Sequence, residues 1–217
     1  MQEKNISKSV IRRLPRYNRF LEELLREGKE KISSRELSER MRLTASQIRQ
    51  DLNCFGGFGQ QGYGYNVAEL RAEISAILRI NGEPRRVILI GAGNLGRAIA
   101  AHINFEKYGF KLIGIFDRDS SAIGERIAGI AVESTEKLRS FCELNTPGMA
   151  VLCIPPEGAK EIVSELITDC NINAFWNYSH YDIHGDFPDA AVENVHLSDS
   201  LMILSYEMGR KSADSEQ

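Results

Sequence analysis

The hexapeptide Gly91-Ala92-Gly93-Asn94-Leu95-Gly96 follows the apolar run Val87-Ile88-Leu89-Ile90 without a break. A buried strand that feeds a glycine turn and then a helix is the opening of a dinucleotide-binding unit, in which backbone N–H groups at the helix start hold the pyrophosphate. Each glycine has its own task. The first permits the tight turn, the second lets phosphates approach the main chain, and the third lets helix pack closely on strand. The next apolar run, Lys111-Leu112-Ile113-Gly114-Ile115-Phe116, ends in Asp117, 21 residues beyond Gly96. An acidic side chain there can accept the adenosine ribose hydroxyl and would repel a 2′-phosphate, so NAD(H) is expected over NADP(H), with Arg118 next to it as a further candidate. Coenzyme A or another nucleotide on the same scaffold is the alternative.

The β-α alternation continues beyond this turn. Helices are predicted from Leu95 to about Asn104, near Glu133 to Cys142 and from Glu157 to Thr168. Strands are expected at Ala150 to Ile154, Ala174 to Asn177 and Val192 to Val195. This pattern predicts an α/β fold with a Rossmann-like, doubly wound parallel sheet. Ile154, Pro155 and Pro156 follow a strand end and are candidates for an apolar wall of the nucleotide site. The break Asn81-Gly82-Glu83-Pro84 sets a boundary, giving residues 1–82 as one domain, 83–197 as the nucleotide domain and 198–217 as a closing helix and tail.

Charge separates the same two parts. Residues 1–82 carry 15 Lys and Arg against 10 Asp and Glu, a net +5, whereas residues 83–217 carry 12 against 20, a net −8. The asymmetry suggests that the amino-terminal part meets a polyanion. No apolar run approaches the roughly 20 residues needed to cross a bilayer, and the first residues lack the apolar core of a signal peptide, so a cytoplasmic protein is expected. Cys54, Cys142, Cys153 and Cys170 show no CxxC spacing and no shared ligand pattern with the four histidines. Reduced, mostly buried thiols and no metal site are expected.

Within the basic part, Ile11, Leu14, Tyr17, Leu21, Leu24 and Leu25 form the apolar stripe of a helix from about Ser9 to Glu27, ended by Gly28. Ser33-Ser34-Arg35-Glu36 matches a capping box and opens a short helix with Leu37 and Met41 inward. Thr44-Ala45-Ser46-Gln47 opens another, with Ile48 and Leu52 inward. Two short capped helices so close together form a helix-turn-helix candidate. On the second, Ser46, Gln47, Arg49, Gln50 and Asn53 fall toward solvent and are side chains that read base edges or grip phosphate, while Asp51 sits off that face. The segment Phe55 to Tyr65 interleaves glycines with aromatics and reads as a two-stranded wing with Gln60 and Gln61 near its tip. A further helix is predicted from Val67 to Arg79. Together these give an amino-terminal winged-helix DNA-binding domain.

The residues after 83 suffice for the nucleotide domain alone and leave no second domain to hold a substrate across a nicotinamide. None of His102, His180, His184 and His196 is placed beside a nucleophile or metal. Binding itself is therefore the expected output, against the rivals of a small oxidoreductase or a plain repressor with a relic nucleotide fold.

Arg13-Leu14-Pro15-Arg16-Tyr17, Ile32-Ser33-Ser34-Arg35-Glu36-Leu37, Ala45-Ser46-Gln47-Ile48-Arg49-Gln50-Asp51-Leu52, Phe55-Gly56-Gly57-Phe58-Gly59, Gly62-Tyr63-Gly64-Tyr65 and the glycine turn together closely resemble the Rex family of redox-sensing transcriptional repressors. The likeness runs over essentially the whole chain. It implies a homodimer that binds palindromic operator DNA when NADH is scarce and releases it when NADH accumulates, with NADH and NAD+ as ligands and target genes that serve NADH reoxidation. It also implies Arg13, Arg16 and Tyr17 as further DNA-facing residues. The chain departs from many members at Gln60 and Gln61, where they carry basic residues, and at Gln50, where they carry a second arginine. Fewer cations lower the electrostatic part of DNA affinity and its salt slope. His102 and His196 stand where some relatives have tyrosine and aspartate near the cofactor and the domain junction. Leu201, Met202, Ile203, Leu204, Tyr206 and Met208 make the closing helix apolar on nearly every side, so it is expected to be buried all round. The resemblance implies that this helix is exchanged between two subunits.

Overall fold

The computed structural model describes residues 6–54 and 64–214, with side chains as far as residue 210. The chain divides into two compact units, Met1–Gly82 and Glu83–Gln217.

The first unit is built on helix α1 (Lys8–Arg26), whose amino terminus is capped by Ser7. Val10, Leu14, Tyr17, Leu21 and Leu24 recur at alternating spacings of four and three and are all buried. Ile11 and Leu25, expected on the same stripe, are 37% and 36% exposed. Each lies one residue off that series, about 100° around the helix. Strand β1 (Lys31–Ile32) leads into α2 (Ser34–Met41) and α3 (Ala45–Asn53). Strand β2 (Tyr65–Asn66) pairs antiparallel with β1 and is followed by α4 (Val67–Ile77), which packs on α1. Asn18 and Ser75 hydrogen bond within that helix contact at 3.2 Å. The expected wing falls on residues 55–65, of which 55–63, including Gln60 and Gln61, lie outside the described residues.

The capping box on α2 is complete. Ser33 Oγ accepts from the Glu36 N–H at 3.1 Å, and Glu36 Oε2 accepts from the Ser33 N–H at 2.9 Å. On α3 only half of the expected box forms. Thr44 Oγ1 accepts from the Gln47 N–H at 3.1 Å, but the Gln47 side chain donates to Asp51 instead of returning to the cap.

The second unit holds a seven-stranded sheet in the order β5-β6-β4-β3-β7-β8-β9. In chain order these are β3 (Arg85–Ile90), β4 (Phe110–Asp117), β5 (Arg126–Ile127), β6 (Ile130–Ser134), β7 (Met149–Leu152), β8 (Ala174–Asn177) and β9 (Ala191–Asn194). All neighbours are parallel except β5, which runs antiparallel to β6. Helix α5 (Asn94–His102) follows β3, α6 (Leu138–Asn145) leads into β7, α7 (Ala159–Thr168) joins β7 to β8, and α8 (Ile183–Asp186) precedes β9. Alternation along the strands builds two cores. Val87, Leu89, Ile115 and Val151 pack with Ile99 of α5, while Ile88, Ile90, Phe116 and Leu152 pack with Leu138 of α6 and Val163 and Leu166 of α7. Helices therefore leave β3 and β7 on opposite faces. The carboxyl ends of those two neighbouring strands form a topological switch point, where ligands bind in such sheets.

One helix prediction is corrected. Residues Glu133 and Ser134 end strand β6, Thr135–Lys137 form a 3-10 turn, and the helix begins only at Leu138. Ile130 and Val132 alternate as a strand requires, and Glu133 pairs with Phe116 of β4, so the sheet claims the first residues of a segment whose charges suggested a helix. The short β5 and α8 were not foreseen.

The closing helix, α9, runs from Leu197 to Asp214. Leu201, Met202, Ile203, Leu204, Tyr206 and Met208 are each more than half exposed, so a single chain does not bury it. No described helix is long and apolar enough to cross a membrane.

Candidate functional site

In the first unit, Ser46, Arg49, Gln50 and Asn53 of α3 are exposed along one face, while Ile48, Asp51 and Leu52 are buried. Asp51 fixes how this face is held. Its carboxylate is only 1% exposed and accepts from Arg13 Nε and Nη2, both at 2.7 Å, from Tyr17 Oη at 3.0 Å and from Gln47 Nε2 at 2.8 Å. Burial alone would raise the carboxyl's pKa. The bonds from Arg13, Gln47 and Tyr17 outweigh it and hold the group below the usual aspartate range. Burial and the Asp51 bond in turn push the Tyr17 phenol far up. Arg49 is anchored differently, donating from Nη1 to Ser34 Oγ of α2 at 3.2 Å.

This network corrects two of the DNA-facing assignments. Tyr17 is fully buried with its hydroxyl on Asp51 and cannot meet a duplex. Arg13 spends its guanidinium fork on the same carboxylate and braces α3 against α1. Gln47 is half-buried with its amide on Asp51, whereas Ser46, Arg49, Gln50 and Asn53 are exposed. Arg16 is half-buried, with its guanidinium 5.7 Å from the centre of the Phe20 ring. The sequence signal for the true role was the buried side of α3 itself, because a carboxylate beside Ile48 and Leu52 needs a cation.

In the second unit, the glycine turn lies at the switch point. A Cβ on Gly91, whose φ is +101°, would stand 2.4 Å from the Cys153 carbonyl oxygen, and one on Gly96 would stand 1.8 Å from the Gly91 oxygen. Those two glycines serve the protein's own packing. Gly93 differs, since nothing lies within 4 Å of where its Cβ would be. It caps α5 without a side-chain bond, so the first turn of the helix presents its N–H groups to open space, as an anion site requires. Asp117 closes the other side of the turn. Its Oδ2 accepts from the Ala92 N–H at 2.6 Å and its Oδ1 from the Asp119 N–H at 2.9 Å.

A cleft of about 460 Å³ opens above this turn, and Gly91, Gly93, Asp117, Arg118, Ile154 and Pro155 all line it. Ala92 is not among the cleft residues and donates its N–H to Asp117, while Asn94, Leu95 and Gly96 form the first turn of α5. Six of the expected residues, Gly91, Gly93, Asp117, Arg118, Ile154 and Pro155, are thus brought together in one cleft. Pro156 is not among the cleft residues, and Ile154 and Pro155 share the cleft with Asp117 and Arg118. Thr135, Cys153, Glu157, Gly158, Glu161 and Ile162 complete the lining and were missed. Their signal was position, directly after β6 and β7, and Thr135 was hidden by the misread helix. Burial pushes the Cys153 thiol up to about 12, which leaves it an inert apolar group in the wall. The cleft's polar turn, acidic ribose position and apolar wall suit a dinucleotide.

His180 and His196 meet at the carboxyl ends of β8 and β9. Their rings stack with centroids 4.8 Å apart, and the two Nδ1 atoms lie 2.7 Å from each other. No group of three or more metal-ligating side chains occurs among the described residues.

Comparison with known proteins finds a match for each unit. Residues 5–53 match a family described as "Putative DNA-binding protein N-terminus", and residues 82–181 match a "CoA binding domain" family. The redox-sensing transcriptional repressor Rex of Clostridium acetobutylicum is 48% identical over 204 residues, 94% of each chain. That of Caldicellulosiruptor bescii is 47% identical over 216 residues, 100% of this chain and 98% of its own. Among solved structures, RSP, a Rex-family repressor, in complex with β-NADH superposes with a TM-score of 0.88 at 44% identity, covering 99% of both chains. RSP in complex with β-NAD+ and operator DNA gives 0.86 at 47% identity, covering 97% of this chain and 96% of that one. With a DNA-binding unit and a Rossmann-like unit on one chain, and this likeness over nearly its full length, the chain belongs to the Rex family of redox-sensing transcriptional repressors.

Proposed function

We propose that this protein is a transcriptional repressor that senses NADH against NAD+, holding operator DNA through α3 when NADH is scarce and releasing it on NADH binding. It is a regulator and not an enzyme. The observation that carries this reading is the pairing, in one chain, of a base-reading helix braced by a buried carboxylate with an open glycine-turn cleft. The structures of RSP in complex with β-NADH and with β-NAD+ and operator DNA support it. Asp117 at the end of β4 favours a dinucleotide over coenzyme A on the same scaffold, since its carboxylate retains lone pairs for ribose hydroxyls after bonding Ala92 and Asp119.

Each residue has a task in this account. The N–H groups after Gly93 hold the pyrophosphate, Asp117 reads the ribose and Arg118 lies beside it. Ile154, Pro155 and Cys153 supply a wall of low polarity. Oxidised nicotinamide carries a positive charge that the reduced ring lacks, and desolvating a charge costs more than desolvating a neutral ring. Moving a two-state repressor from nearly all DNA-competent to nearly all released requires a preference of about 5.5 kcal/mol. On DNA, Arg49 and Gln50 contact base edges, with Ser46, Asn53 and Arg16 positioned for base or phosphate contacts; Gln60 and Gln61 at the wing tip are assigned from sequence alone.

The protein acts as a homodimer on a palindromic site in the cytoplasm, where operators are found. Its exposed apolar α9 supports this, as does an apolar groove of about 610 Å³ over the open sheet face, lined by Phe105, Tyr108, Phe110, Met149 and Trp176. Exchange of α9 between subunits would bury its apolar faces. The test is operator binding by fluorescence anisotropy with each nucleotide. NADH at micromolar levels should dissociate the complex while NAD+ does so poorly, and equal effects would overturn the sensor reading.

A further inference from the structure

Strands β8 and β9 end side by side, and each has a histidine just beyond its end. His180 and His196 are 16 residues apart in the chain, yet their Nδ1 atoms lie 2.7 Å from each other while the ring centroids are 4.8 Å apart. The nitrogens are thus the parts of the two rings that meet. A buried amide holds them there. Asn177, 1% exposed, donates from Nδ2 to Asn194 Oδ1 at 2.7 Å and to the Tyr181 carbonyl at 2.9 Å. Its Oδ1 accepts from the Ser179 N–H at 3.0 Å and from Ser179 Oγ at 2.6 Å, and its carbonyl accepts from the Val195 N–H at 2.8 Å. The residues on either side of His180, and the two before His196, are therefore tied to Asn177.

Two imidazole nitrogens this close must share something between them. In the neutral pair one Nδ1 carries a proton and the other accepts it. A divalent cation of borderline softness can take the place of that proton, because neutral imidazole ligates zinc, copper and nickel.

We infer that His180 and His196 form a transition-metal site, in which a divalent ion of the zinc class is held by both Nδ1 atoms and completed by water. The ring that donates in the metal-free pair moves its proton from Nδ1 to Nε2, so both rings ligate through Nδ1, both keep an N–H on Nε2, and the pair loses no proton. At the roughly 2.0–2.1 Å of a zinc–imidazole bond, a tetrahedral ion holds two nitrogens about 3.3 Å apart. The pair has to open by about 0.6 Å, and the exposed His180 has room to do so. Magnesium and calcium do not suit the site, since they take oxygen ligands, and among the described residues no third histidine, cysteine or carboxylate joins the pair. His196 directly precedes α9, and its carbonyl accepts from the Asp199 N–H of the first turn at 3.1 Å. The bound ion fixes the start of α9 to the loop after β8. Neither histidine lines the nucleotide cleft, so the site does not depend on the NADH reading.

The experiment titrates the full-length protein with zinc chloride, beside magnesium chloride, and follows the histidine nitrogens by long-range proton–nitrogen NMR together with calorimetry. Zinc should shift the Nδ1 signals of His180 and His196 while both Nε2 atoms stay protonated, and magnesium should shift neither. His196→Gln should weaken this zinc binding by about tenfold or more, since even partners one shell further out are worth that much. His180→Asn should do the same while tolerating the left-handed backbone at this position, where φ is +61°. His184→Ala, at an exposed histidine of α8, should leave zinc binding unchanged. Nδ1 signals that do not respond to zinc, or zinc affinity undiminished in both His180→Asn and His196→Gln, would overturn the site and leave a pair that shares a proton only. The spectra of the unmodified sequence decide the matter even if a variant fails to fold.

Discussion

Replacing Asp51 with alanine removes the carboxylate whose hydrogen bonds tie α3 to α1. The loss can be worked from its partners. Tyr17 is fully buried, and its hydroxyl would lose its acceptor at 3.0 Å; a buried orphaned donor costs about 1–3 kcal/mol. Arg13 is 28% exposed and can turn toward water, so its share is nearer the roughly 1 kcal/mol of a screened pair. Together these give about 2–4 kcal/mol for the first unit, which for a domain of this size lowers its melting point by about 10 °C or more. The pH dependence has a definite sign. Asp51 is held below its unfolded pKa, so its stabilisation is fully present above the unfolded value of about 3.9 and is lost as pH falls through the lower folded value. Urea titrations of Asp51→Ala and the parent across the acid range should show the parent's extra stability shrinking toward low pH. Operator binding should fall with the loss of α3's orientation, while NADH binding in the other unit stays unchanged. A variant within about 0.5 kcal/mol of the parent at neutral pH would refute the bracing role, since that is the size of an ordinary surface substitution.

Gly93→Ala should leave the fold intact, because its Cβ meets open space, yet weaken NADH binding, whereas Gly91→Ala and Gly96→Ala should destabilise the second unit through contacts of 2.4 and 1.8 Å. Calorimetry with thermal melts separates the two, and equal melting losses in all three would contradict the division of labour. Asp117→Ala should narrow the preference for NADH over NADPH and also loosen the turn at Ala92; an undiminished preference in calorimetry would assign ribose reading to another residue. Removing residues 199–217 should abolish the dimer and operator binding, and a truncated protein that sediments as a dimer would refute the role of α9.

How much of this was legible depends on how local each signal is. The capping box at Ser33, the strand and turn around Gly91 and the acid at Asp117 are set by residues a few positions apart, and they appear as read. The brace at Asp51 was not legible, because its cation lies 38 residues away; Arg13 and Tyr17 then looked like surface residues of a basic helix. Strand β6 was masked for a related reason. Glu133 lies at its end beside charges that suit a helix, and only pairing with Phe116 and Asp117 of β4 decides the matter. Asp117 also clamps the turn, accepting from the Ala92 N–H, a role that sequence spacing did not reveal.

The central claim is a coupling between the two units, and coupling is reciprocal. The direct measurement is calorimetric NADH affinity of the full-length protein with and without saturating operator, set beside operator affinity with and without saturating NADH. The account predicts that the operator weakens NADH binding by the same factor as NADH weakens operator binding, with a much smaller factor for NAD+. NADH affinity that is unchanged by operator would contradict it.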